Sequence, residues 1–157
     1  MAARTYTITL AATAITVAAD LVEITPADDL PVQIIGFRVW QTTDLGDAAE
    51  EIIGLSWVRG NTTSGSGGNT AQPSVPKNSR DAAAGATIET ANTTQATAGT
   101  AVTAYSTGWN VRAPLEVTFT PDQYIRADQG QTLLCLRMLA APADSLTIGC
   151  SVDYQEL

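Results

Sequence analysis

Histidine is missing from all 157 residues. Its absence removes every triad, zinc site and proton shuttle built on imidazole, and a cysteine nucleophile would lack its usual base. Lysine occurs once, at Lys77, and the other seven bases are arginines. Sixteen acids oppose them, giving a formal charge of −8 with no basic cluster. Such a surface repels phosphate backbones, so nucleic acid is not expected as a partner. No stretch reaches the ~20 apolar residues of a membrane helix, and no membrane partner is expected either. The start, Ile8 to Ala19, has the composition of a leader. However, Thr5, Thr7 and Thr9 alternate with Tyr6, Ile8 and Leu10, which is strand periodicity. Helical periodicity is nearly absent. The best helical stretch, Asp44 to Glu51, is short and acidic and reads equally as one turn or as a loop.

The two cysteines, Cys135 and Cys150, sit in apolar runs. If Arg137 points outward, Cys135 does too, whereas the alternation around Ile148 and Val152 turns Cys150 inward. Thiols on opposite faces cannot bridge, so no disulfide is expected, as suits assembly in a reducing cytoplasm.

What is present is mostly Ala, Thr and short apolar runs, a mixture that leans towards β structure. Strand signals fall at Tyr6–Leu10 with a continuation at Ile15–Val17, then Leu21–Thr25, Val32–Gln41 and Ile52–Arg59. They resume at Thr87–Thr90, Ala101–Thr107, Leu115–Phe119, Tyr124–Ala127, Leu133–Leu139 and Leu146–Tyr154. About eight to ten short strands with turn signals between them predict one antiparallel β-sandwich or jelly-roll domain over residues 1–157, with 1–18 as an N-terminal arm or edge strand. At this length it buries roughly 70% of its extended-chain surface.

The longest interruption, residues 60–85, opens with Gly60-Asn-Thr-Thr-Ser-Gly-Ser-Gly-Gly-Asn69. It reads as a long, flexible loop whose glycine-rich opening is uncharged, because its residues satisfy local backbone groups and offer a core little apolar surface. Its glycines resemble a phosphate loop, but no Lys and no helix start follow. Among the acids, Asp28-Asp29 reads as a turn. Asp44, Asp47, Glu50 and Glu51 read as a solvated edge, with a calcium cluster or a carboxylate hydrolase pair as sharper readings that no known spacing supports. No catalytic residue, metal or cofactor is assigned, and the chain is not expected to be an enzyme.

Candidate interface residues remain. Arg38, Arg59, Arg112, Arg126 and Arg137 lie in or beside strand-like runs. Arginine forks suit interfaces, though solvent-facing strand positions explain them equally. Trp40 and Trp57 lie within apolar strands and read as core or sheet face. Trp109 sits where a strand runs into a loop, with Arg112 close behind, and reads as a partner anchor or as a lid on the sandwich. Arg59 and Asn61 flank the glycine loop. Tyr6, Ile8 and Leu10 form a strand that pairs either with a neighbour's edge or within its own sheet. A different use of Trp40, Trp57, Trp109 and Tyr105 is a sugar-stacking platform.

Several stretches, taken in order, carry a resemblance. They are Glu23-Ile-Thr-Pro-Ala-Asp-Asp29, the glycine loop after Arg59, Gly108-Trp-Asn-Val-Arg112, Asp144-Ser-Leu146 and the ending Tyr154-Gln-Glu-Leu157. The chain resembles small all-β virion proteins of tailed bacteriophages and prophages, of the jelly-roll capsid decoration (cement) or minor head kind. The likeness spans nearly the whole chain through short, degenerate stretches without a catalytic signature. It implies a structural protein made in the host cytoplasm that adds to the capsid exterior, commonly as a homotrimer, and bridges neighbouring major capsid subunits. The alternative is a carbohydrate-binding or receptor-binding sandwich of a phage or adhesin.

Overall fold

The computed structural model describes residues 3–43, 51–128 and 133–157. Asp44, Asp47 and Glu50, and with them the candidate helical turn, lie outside that set. The strands are β1 (Arg4–Ile15), β2 (Asp20–Thr25), β3 (Val32–Gln41), β4 (Ile52–Asn61), β5 (Val75–Pro76), β6 (Thr87–Asn92), β7 (Val102–Asn110), β8 (Leu115–Thr118), β9 (Ile125–Ala127), β10 (Leu133–Met138) and β11 (Leu146–Glu156). Among the described residues the only helical element is a 3-10 turn at Pro121–Gln123. The strands form two antiparallel sheets packed as a sandwich. One runs β5-β1-β11-β3-β8, with β9 also on β3, and the other runs β6-β2-β10-β4-β7. Apart from β5, which lies in the stretch expected as a loop, the strands fall where the alternation of side chains places them.

Period-two patterning explains the pairing, and bulges keep it in phase. In β1, Tyr6, Ile8 and Leu10 point inward. One extra residue then enters between the pairs Leu10–Cys150 and Thr13–Ile148, so that Ile15 again faces the core. In the second sheet, Leu134, Leu136 and Met138 face the core while Leu133, Cys135 and Arg137 face away from it. Cys150 belongs to the main core, and both cysteines are free and buried. Aromatic contacts tie the layers together. Phe37 meets Trp57 edge-on at 5.9 Å, and Tyr6 stacks on Tyr154 at 5.4 Å within the first sheet.

The 60–85 segment, expected as a free excursion, is instead laid down on the body. Thr63 pairs with Thr97, Ser66 with Thr94 and Asn69 with Thr90, each through backbone bonds in both directions of 2.9–3.0 Å. Glycine is needed for this close approach: a Cβ at Gly68 would overlap the backbone of Thr90 and Ala91. The end of the segment supplies β5, which pairs with Tyr6 and Thr7 of β1. A proline is tolerable there because β5 is an edge strand.

Candidate functional site

Three buried acids hold that segment and the β6–β7 connection in place. Asp20, fully buried, takes a two-pronged bond from Arg137 (Nε 2.7 Å, Nη2 2.9 Å) and a third from the Ala96 amide at 2.8 Å. Glu23 accepts from the Ser64 hydroxyl at 2.6 Å, the Gly65 amide at 3.0 Å and Asn92 Nδ2 at 3.2 Å. Glu156 accepts from the Gly85 and Ala86 amides, each at 2.8 Å. Asp20, Glu23 and Cys135 bring ligand atoms within 4.8 Å of one another, the one such grouping among the described residues. Those carboxylate oxygens are already filled by a guanidinium, amides and a hydroxyl, and burial, followed by the charges of Asp20 and Glu23, pushes the Cys135 thiol upward. A cation would have to displace all of these donors, so the cluster works as a staple. Nothing at the sequence level marks these acids, because their partners lie 41 to 117 residues away.

The expected interface residues divide into two groups. Tyr6, Ile8 and Leu10 pack their side chains in the core, with the Tyr6 hydroxyl donating to the Ala82 carbonyl at 3.1 Å, and their strand pairs within its own sheet with β11. Trp109 is corrected. It is 1% exposed, and its indole N–H donates to the Ala113 carbonyl at 2.7 Å, so it closes one end of the sandwich. The chain turns at Asn110–Ala113 and separates Trp109 from the exposed Arg112. Asn61 is buried and donates to the Ala98 carbonyl at 3.1 Å. Arg59 is exposed and reaches across to the carbonyl of Arg126 on β9 at 2.8 Å. Arg59 pairs with Val102 at one end of β7, while Arg112 follows its other end. Arg59 and Arg112 thus lie at opposite ends of β7, and Trp109 lies within it.

β7 itself is the feature that residue-by-residue reading missed. Among the described residues it is hydrogen-bonded to β4 on one side only; it carries no charge and is exposed along most of its nine residues, with Val102 at 45%. Behind it, between the sheets, lies a groove of about 320 Å³ lined by Ala104, Tyr105, Phe119, Gln123 and Ile125. Tyr105 and Phe119 meet edge-on there at 5.1 Å. Folded proteins normally protect such an edge with charge, proline or cover. On the opposite side of the sandwich, β1 is covered by β5 only at Tyr6 and Thr7.

The outer face of the first sheet is polar. Asp153 accepts from Thr7 at 2.6 Å and pairs with Lys77 at 3.0 Å, while Arg38 lies between Asp153 (3.6 Å) and Glu116 (2.9 Å). Beside this ladder Trp40 lies across Gly149 so closely that a methyl group there would overlap the indole. Trp57 and Trp109 are core residues, which leaves Trp40 as the half-exposed tryptophan. Comparison with protein families, curated proteins and solved structures found no match.

Proposed function

We propose that the chain is a structural virion protein of a tailed phage that binds the exterior of the assembled capsid and stabilises it by bridging neighbouring major capsid subunits. The observation that carries this reading is a β-sandwich with long, uncharged strand edges left open among the described residues, a body suited to adding onto other β structure. The strand order supports the jelly-roll form of the resemblance. Strands β1-β11-β3-β8 over β2-β10-β4-β7 follow from winding two Greek keys together, with β5 and β6 inserted between β4 and β7. The buried acids Asp20, Glu23 and Glu156 are engaged in holding backbone, which favours a passive role. On a shell with many identical sites, modest contacts repeated through an oligomer become firm by effective concentration. The −8 charge favours basic patches on the partner and disfavours DNA. Mixing the purified protein with undecorated shells tests the proposal. Saturating, symmetric density with a raised shell melting temperature is expected, and shells that retain none of the protein defeat it.

A second reading, glycan binding, is favoured by one observation, the Trp40 indole presented on a polar sheet face. A glycan array in which wild-type hits vanish with Trp40→Ala would support it, and silence on the array would remove it.

A further inference from the structure

We infer that β7 of one molecule adds as a further strand to the open part of β1 in the next, joining copies of the chain head to tail. Among the described strands nothing pairs with the outer edge of β1 from Thr9 to Ile15, seven residues or roughly 23 Å of backbone donors and acceptors. Thr9, Ala11, Ala12 and Ala14 are exposed on this stretch. Alongside runs a groove of about 390 Å³, walled by Leu10, Ala14 and Ile15 on one side and by Gly68, Thr90 and Ala91 on the other. The strand that fits this edge is β7, Val-Thr-Ala-Tyr-Ser-Thr-Gly-Trp-Asn, which is uncharged and exposed at Val102, Thr103, Ala104, Ser106, Gly108 and Asn110.

Charge points to the same occupant. A chain of net charge −8 repels its own copies over most of its surface, yet residues 5–19 and 92–111 contain no charged side chain at all. These two stretches hold the two open edges. One edge lies beside β6 and the other beside β8 and β9, so they are on opposite sides of the sandwich. A contact between them is heterologous: it repeats, and it closes into a ring or runs on as a filament.

Light scattering on the isolated protein over a concentration series tests this without any shell, so its failure and a failure of capsid binding are distinguishable. The wild-type protein is expected to assemble beyond monomer. Ala14→Asp on β1 and Thr103→Asp on β7 each place a charge on one edge, and each variant alone should be monomeric. Mixed together they should form a dimer and nothing larger, through the intact β7 of the first and the intact β1 of the second. Thermal unfolding confirms that each variant is folded, and Ala11→Lys with Ala104→Lys replaces any that is not. A wild-type protein that stays monomeric overturns the inference. So does a mixture that stays monomeric. Assembly lost with Thr103→Asp but retained with Ala14→Asp also overturns it, since that pattern belongs to two-fold pairing of β7 with itself.

Discussion

Replacing Asp20 by Asn should destabilise the fold by about 3 kcal/mol, because the residue closes a ring of buried bonds. Arg137 binds both of its oxygens at 2.7 and 2.9 Å, Ala96 donates its amide to it at 2.8 Å, and Arg137 Nη2 returns a bond to the Ala96 carbonyl at 2.8 Å. The ring joins β2, β10 and the connection that leads into β7. Asn keeps the volume and one acceptor but turns an amide N–H2 toward a guanidinium, leaving a buried cation uncompensated. Breaking a buried pair on one side costs roughly 3–5 kcal/mol, and the retained oxygen places Asn at the low end, with Ala near the top. For a chain of this size 1 kcal/mol moves Tm by about 2–4 °C, so Asp20→Asn should lower it by about 6–12 °C. Urea unfolding followed by tryptophan fluorescence measures the free energy, and hydrogen exchange at the Ala96 amide reports whether the connection loosens first. The double variant Asp20→Leu/Arg137→Met should cost clearly less than the sum of its single changes, since it leaves no charge stranded. A loss below about 1 kcal/mol for Asp20→Asn, or strict additivity in the double variant, would refute the reasoning.

Burial alone would raise the Asp153 carboxyl, but the Thr7 hydroxyl, Lys77 and Arg38 outweigh it and hold the group below its ordinary value of about 3.9. A group depressed in this way contributes stability that is present above the ordinary value and lost as pH falls through the lower folded one. The stability gap between wild type and Asp153→Asn should therefore close as pH drops below about 4; a gap that stays constant through acid unfolding curves would contradict it. Burial pushes both Cys135 and Cys150 upward, so neither should react with a disulfide reagent at mildly alkaline pH until the chain unfolds. Rapid labelling of either sulfur in the native protein would be inconsistent with the structure. Gly149→Ala should expel the Trp40 indole from the sheet face, cost about 1–3 kcal/mol and red-shift its emission, a change absent if the ring does not rest on Gly149.

Strand positions and facing were legible residue by residue, because side-chain direction in a strand repeats every two residues and depends only on neighbours in the chain. That local rule put Cys135 and Cys150 on opposite faces, and the structure agrees. It also marked Tyr6, Ile8 and Leu10 as one face of a strand, but could not say whether their cover came from this molecule or from another. Trp109 shows where such reading stops: whether it anchors a partner or seals an end depends on a turn at Asn110–Ala113 that hands its indole a carbonyl. The glycine-rich segment shows it again. Its composition offers no reason to lie still, and what holds it are Glu23 and Glu156, 42 and 71 residues from the amides of Gly65 and Gly85. Composition and periodicity settled that this is a β body with little charge and no imidazole. Which edges stay open, and which acids become staples, was decided only by folding, because strand pairing and buried hydrogen bonds join residues that the chain order keeps far apart.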